Sequence, residues 1–339
     1  MEQKKKTSKE ISDAIRKGSK FVYYDGINYS ASTAESRVKR ESLEYNIVTS
    51  VITKGDYHLL EAVHSLGFAT PEALLHRLRD GARRNEESSI CIAREGRITN
   101  HRTMRGRLEF LTRQGLLHCC EYIDSYDNVN YIYTCSSEGF RAFSNALDCW
   151  VQYNKDMVYK PPYEVFRYLA ANTVAYVLGL HSNCTKIVPY GKFTYQNSGK
   201  EQSEYLYGRL EYQTEDGRKI NYILEPVVFS VNTKIISLEE NARRLQRRIV
   251  SLRNAVQALC EGGEDSYIVF IVENGEGLTR LKELILEYEL DFFLERCLFT
   301  CENIVSSTYV ERGGAATDCL LCMYLNNGQV RFKQRDMEV

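Results

Sequence analysis

Prolines are few, five in 339 residues, and the one adjacent pair is Pro161-Pro162. No apolar run approaches the roughly 20 residues that a membrane-spanning helix needs. The opening MEQKKKTSKE is charged and leads into no apolar stretch, unlike an export signal. There is no Gly-rich phosphate loop and no Ser-His-Asp arrangement, and the six histidines (58, 64, 76, 101, 118, 181) are scattered. The common signatures of nucleotide hydrolysis, acyl transfer and histidine-held metals are thus missing. Nor is one sign of charge in excess: the net charge is −1, which excludes a bulk polycation. These absences leave a soluble, unexported chain, and the cytoplasm is the expected compartment.

What is present is ordinary globular composition, 43% hydrophobic and 26% charged, in a chain long enough for two domains. Eleven cysteines, an odd number placed mostly in apolar runs such as those around Cys149, Cys184 and Cys260, read as small hydrophobes of a reducing compartment. Residues 1–42 read as a partly ordered basic leader, with Lys4-Lys5-Lys6 and little apolar periodicity. Residues 43–151 carry helical periodicity. Residues 152–162 read as a linker ending in the proline pair, and 163–339 as a second domain.

The first domain is organised around Thr99 to Gly115, TNHRTMRGRLEFLTRQG. Met104, Leu108 and Leu111 recur at helical spacing and define a buried stripe, leaving arginines outward. Thr99 is placed to cap the helix start and Gly115 its end. Leu116 to Cys135 then reads as strand, turn and strand, and Ser136 opens a closing helix that carries Phe140, Phe143, Ala146, Leu147 and Trp150. Upstream, one helix around Tyr57–Val63 stops at Gly67 and another starts at Pro71. Asp80 to Ile98 reads as a polar insertion that could order on binding, with Ile90-Cys91-Ile92 as a short strand. Helix, strand, turn, strand predicts a winged helix.

Between Arg94 and Arg113 six arginines and His101 face only Glu95 and Glu109. A local basic surface on a neutral domain suits contact with a short stretch of double-stranded DNA. On this reading Asn100, His101, Arg102, Thr103 and Arg105 lie nearest base edges and phosphates, with Arg107 and Arg113 further along the same helix. Arginine can fork onto guanine or phosphate and Asn onto adenine. Tyr126 and Asn128 in the wing turn would touch the backbone or minor groove. The competing reading is a protein-docking module whose surface arginines are merely solvated.

In the second domain the pattern runs helix (Tyr163–Leu180), three strands (Thr185–Tyr195, Glu204–Gln213, Arg218–Ser230), a long helix (Ser237–Cys260), a strand (Tyr267–Val272), a helix (Leu278–Glu289) and a strand near Cys297–Cys301. The expected class is therefore α+β, a winged helix-turn-helix domain followed by an α/β domain. Arg243, Arg244, Arg247 and Arg248 on the long helix could track a second stretch of phosphate backbone, or form a solvated face paired with Glu239 and Glu240.

The α-β-β-β-α-β-α-β order resembles the PD-(D/E)XK nuclease core. Together with RLEFLTRQGLL and YIYTCSSEGFRAF, which look like a helix-wing-helix signature, the chain over about residues 43–300 resembles the replication-relaxation proteins of plasmids and conjugative elements. The resemblance implies DNA binding in plasmid replication or conjugative transfer, alongside a relaxase or replication initiator. It also implies an acid on the hairpin's first strand and a Glu followed two residues later by a polar group. Here Glu225 supplies the Glu, but Val227 stands in the second position and Tyr207-Gly208-Arg209 in the first, with only Glu211 as a substitute acid. A nuclease of this kind needs paired carboxylates for Mg²⁺ and a nearby lysine. Glu211 and Glu225 make half of that set, so they read as vestigial, and no catalytic residue or cofactor is expected. An active metal-dependent endonuclease remains the alternative. Cys297, Cys301, Cys319 and Cys322 have the count of a zinc site, but their apolar neighbours read as buried strand and no metal is expected.

Overall fold

The computed structural model describes residues 52–123, 129–149, 153, 157, 162–197, 199–227, 238–272, 275–287, 291–301, 305, 320–326 and 329–334. The leader, most of the linker, Trp150, Cys319 and the wing-turn residues Tyr126 and Asn128 lie outside them. The described residues are of mixed α and β class and fall into two compact units, the first reaching Val165 and the second starting at Phe166.

The first unit opens with α1 (Lys54–Leu66). Its Asp56 carboxylate reaches back to accept from the N–H (2.7 Å) and hydroxyl (3.0 Å) of Thr53, which supplies acceptors at the helix start. Leu59, Leu60, Val63 and Leu66 form the buried stripe, and Gly67 ends the helix at a φ of 72°. Thr70 then accepts from the Ala73 N–H at 3.2 Å to start α2 (Pro71–Arg83), where proline at the first turn forfeits no internal hydrogen bond. α4 (His101–Arg113) buries Met104, Leu108 and Leu111 as the spacing predicts. Its cap is Asn100 rather than Thr99: the Asn100 side chain accepts from the Thr103 N–H at 3.0 Å. Gly115 takes positive φ, 72°. β1 (Leu117–Ile123) and β2 (Val129–Cys135) pair antiparallel, and Ala69 adds a one-residue third strand by exchanging both backbone hydrogen bonds with Tyr133 (2.9 and 2.8 Å).

Residues 80–98 are a correction. They hold the end of α2 and a further helix, α3 (Glu87–Glu95), not a polar insertion or a strand at Ile90-Cys91-Ile92. At helical spacing Ser89, Cys91 and Ile92 face inward while Ile90 stays exposed, so a three-residue apolar run belonged to a helix with a narrow buried face. Cys91 and Ile92 are thereby part of this unit's interior.

α5 (Ser137–Leu147) closes the unit. Its cap residue Ser136 donates to the Gly115 carbonyl (2.7 Å) and accepts from the Gly139 N–H (2.9 Å). Gly139 packs so closely that a Cβ there would stand 2.0 Å from the Leu116 carbonyl oxygen. That neighbour is backbone and cannot swing away. Gly139→Ala is therefore expected to destabilise the first unit by about 3 kcal/mol, read as a lowered denaturant midpoint; an unchanged midpoint would show that α5 can shift freely.

The second unit is built on α6 (Pro162–Gly179), which is buried nearly all round from Phe166 to Leu178. The chain continues as β3 (Cys184–Asn197), β4 (Lys200–Gln213), β5 (Lys219–Pro226), α7 (Leu238–Glu261), β6 (Asp265–Val272), α8 (Gly275–Glu287), a short 3-10 turn (Asp291–Arg296), β7 (Cys297–Cys301), β8 (Leu321–Asn326) and β9 (Gln329–Gln334). The seven strands lie in chain order across one sheet. β3, β4 and β5 pair antiparallel, β5, β6 and β7 parallel, and β7, β8 and β9 antiparallel. The two parallel pairings require crossovers, and α7 and α8 supply them. Ile223, Ile268, Phe270 and Phe299 pack with Leu252, Val256, Leu281 and Ile285 of these helices. The other face meets α6, where the Tyr212 hydroxyl donates to the Leu178 carbonyl at 2.6 Å and the Tyr212 ring meets Tyr222 edge-on.

Candidate functional site

Two clusters concentrate chemistry, one in each unit. In the first, α4 presents its N-terminal half outward, with Asn100, His101 and Arg102 exposed and Thr103 partly so. Asn100 and Thr103 are occupied by the cap itself: Thr103 Oγ1 accepts from the N–H groups of Asn100 (3.1 Å) and Thr99 (3.0 Å). The side chains of His101 and Arg102 make no hydrogen bond or ion pair among the described residues. Arg113, at the far end of the same face, is exposed, as are Arg94 and Arg97 just upstream.

Arg105 and Arg107 differ from that set. Arg105 lies 4.2 Å over the Tyr131 ring and donates from Nε to Glu109 at 2.8 Å. That hydrogen bond, ahead of the smaller burial effect, holds its pKa above the ordinary arginine value. Arg107 points inward. Its Nε and Nη2 both donate to Asp56, a carboxylate only 1% exposed, while its guanidinium covers the Phe110 ring at 4.5 Å. One acidic side chain thus starts α1 and ties α4 to it. Spacing alone did not separate these roles, because the partner of Arg107 lies 51 residues away.

In the second unit Glu225, near the end of β5, is completely buried. Arg167 of α6 donates to its Oε1 at 2.6 Å and to the Pro226 carbonyl at 2.8 Å, and its guanidinium lies 4.4 Å over the Tyr207 ring. Arg248 of α7 donates to Glu225 Oε2 through Nε (3.0 Å) and Nη2 (2.9 Å), to Glu204 Oε2 (3.2 Å) and to the Tyr205 carbonyl (2.7 Å). Burial is the largest single influence on Arg248 and would lower its pKa, but the Glu225 charge and the hydrogen bond to Glu225 together outweigh it and the value is raised. Two carboxylates and two guanidiniums cancel. Both Glu225 oxygens face cations already, so a divalent ion would have to displace a guanidinium to reach them.

Glu211 does not join this cluster. The register sets it opposite Asn221, four residues from Glu225 along β5 and so about 13 Å away. There it pairs with Arg209 at 2.6 Å and Lys186 at 3.9 Å beside a cleft of about 360 Å³. The two acids that sequence reading placed together are held apart by the strand. Of the five arginines on α7, Arg243, Arg244 and Arg247 are exposed, Arg248 faces Glu225 and Arg253 is half-buried.

Cys297 and Cys301 are buried on β7 and Cys322 lies on β8. Burial pushes the Cys120 thiol up to about 12 and those of Cys135 and Cys297 higher still, which keeps them protonated and poor as ligands or nucleophiles near neutral pH. Among the described residues no group of three or more His, Cys, Asp or Glu side chains is placed to hold a metal ion, and no helix is long and apolar enough to cross a membrane. Compared with protein-family models, with curated proteins and with solved structures, the chain matches none.

Proposed function

We propose that this chain binds duplex DNA through α4 and acts in the cytoplasm as an accessory or regulatory protein of a mobile element, alongside a relaxase or replication initiator. The observation that carries the reading is the exposed arginine-bearing face of α4, with Arg102 beside His101 at its N-terminal end, Arg113 at the other and Glu109 between them paired with Arg105, on a helix whose opposite stripe is buried. The surrounding order supports it: α1, the Ala69 bridge, α2, α4, then the β1–β2 hairpin follow the sequence of a winged helix, with α3 as an added helix before the recognition helix. Arg107, committed to Asp56, drops out of the contact set. Arg105 contributes through its exposed edge.

For the second unit, the α6-β3-β4-β5-α7-β6 order supports a PD-(D/E)XK-like domain, and Arg167 and Arg248 on Glu225 support a catalytically disarmed one. Arg243, Arg244 and Arg247 form its candidate second DNA contact. The link to plasmid replication or conjugation rests on the sequence resemblance.

Replacing both Arg102 and Arg113 with alanine is expected to leave folding intact, since both are exposed, and to weaken duplex binding about 10- to 100-fold. If both guanidiniums contact phosphate, the dependence of log affinity on log salt should fall by about two units. Fluorescence anisotropy with a labelled duplex over a salt series measures both quantities. Unchanged affinity in the folded double variant would sink the reading in favour of a protein-docking role.

A further inference from the structure

Gly106 stands in the middle of α4, exposed, and a Cβ placed on it would meet nothing within 4 Å among the described residues. The other described glycines with such open space are at turns or a helix start: Gly199, Gly217 and Gly263 have φ of 75°, 85° and 83°, and Gly275 begins α8. Gly106 has no such backbone reason. Glycine inside an exposed helix is less stable than alanine, so the position carries a cost with no compensating contact among the described residues.

Its surroundings show what a bare backbone at this point permits. Positions 102, 106, 109 and 113 fall within about 60° of one another around the helix, so Gly106 lies on the same outward stripe as Arg102 and Arg113. Arg102 is about 6 Å away along the axis and Arg113 about 10 Å in the other direction. The long side chain next to it, Arg105, is folded down onto Tyr131 and Glu109 and does not fill the gap. The result is a notch with Arg102 on one side and, on the other, Glu109, which is paired with Arg105, followed by Arg113.

Building on the DNA-binding reading above, we infer that Gly106 is the point of closest approach between α4 and duplex DNA. The bare helix backbone seats against base edges in the major groove, deeper than any side chain would allow, while Arg102 and Arg113 reach the flanking phosphates. Glycine is kept here for the ligand, at the expense of the helix.

The experiment compares wild type with Gly106→Ala and Gly106→Leu, measuring the thermal midpoint and the affinity for a labelled duplex recovered from a random-sequence pool by the wild-type chain. Alanine is expected to raise the midpoint by about 4 °C and to weaken binding about tenfold, with leucine weakening it further. A more stable Gly106→Ala protein that binds the duplex as wild type does would overturn the inference while leaving the DNA-binding reading standing. A less stable alanine variant would also overturn it, by showing that the glycine serves the fold. Failure of wild type to recover any duplex would remove both the reading and the inference.

Discussion

Glu225→Ala is expected to lower the stability of the second unit by about 4 kcal/mol while leaving the transition of the first unless the two unfold as one. The reason is the imbalance it creates. Arg167 and Arg248 are each about one-fifth exposed, and both turn a guanidinium toward a carboxylate with no solvent exposure. Removing that carboxylate leaves two cations without the acceptor they share, Arg167 having donated to its Oε1 and Arg248 to its Oε2. Urea unfolding followed by Trp-independent far-ultraviolet circular dichroism reads the loss as a lowered midpoint. The same variant separates the structural role from a catalytic one. If Glu225 serves the fold alone, supercoiled plasmid incubated with Mn²⁺ stays uncut by wild type and variant alike. Cutting by wild type that disappears in Glu225→Ala would restore the nuclease alternative.

Asp56→Ala is expected to be comparably damaging to the first unit, about 4 kcal/mol. This side chain accepts from the Thr53 N–H and hydroxyl, stands at the N-terminus of α1 where the helix dipole favours an anion, and receives both donors of the Arg107 fork. Deletion uncaps α1 and takes from a largely covered guanidinium the carboxylate that its Nε and Nη2 both reach. Arg107→Ala should cost less, about 2 kcal/mol, because Asp56 retains Thr53 and the helix terminus. The pair also tests the assignment of α4 surfaces. Per folded molecule, Arg107→Ala should bind duplex DNA as wild type does, whereas Arg102→Ala should not; equal losses would place Arg107 at the interface after all.

Much of the local structure was legible in the residues. Met104, Leu108 and Leu111 mark the buried stripe of α4, Pro71 and Ser136 mark helix starts, and Thr214 to Gly217 marks the turn between β4 and β5; each is a short-range effect of side-chain periodicity or backbone preference, and each appears in the structure. Residues 87–95 were misread for an equally local reason. Three consecutive apolar residues satisfy a strand and a helix alike, and what decided for the helix was burial of Ile92 in a core most of whose other members lie far away in sequence. Ala69 could not be seen as a strand at all, since one residue has no periodicity and its pairing depends on Tyr133.

The division is clearest in the charged residues. Sequence alone determined that arginines concentrate between residues 94 and 113 and recur along α7, and that Glu225 follows an apolar strand. Which of them are surface and which are interior was decided only by tertiary structure, because an ion pair depends on where its partner is brought. Arg107 reaches Asp56 across 51 residues and Arg167 reaches Glu225 across 58, while Arg102 meets no such partner among the described residues. Strand register likewise set Glu211 four residues out of reach of Glu225. A side chain's charge belongs to its residue type, but its availability to a ligand belongs to the fold, which has already spent some of those charges on itself.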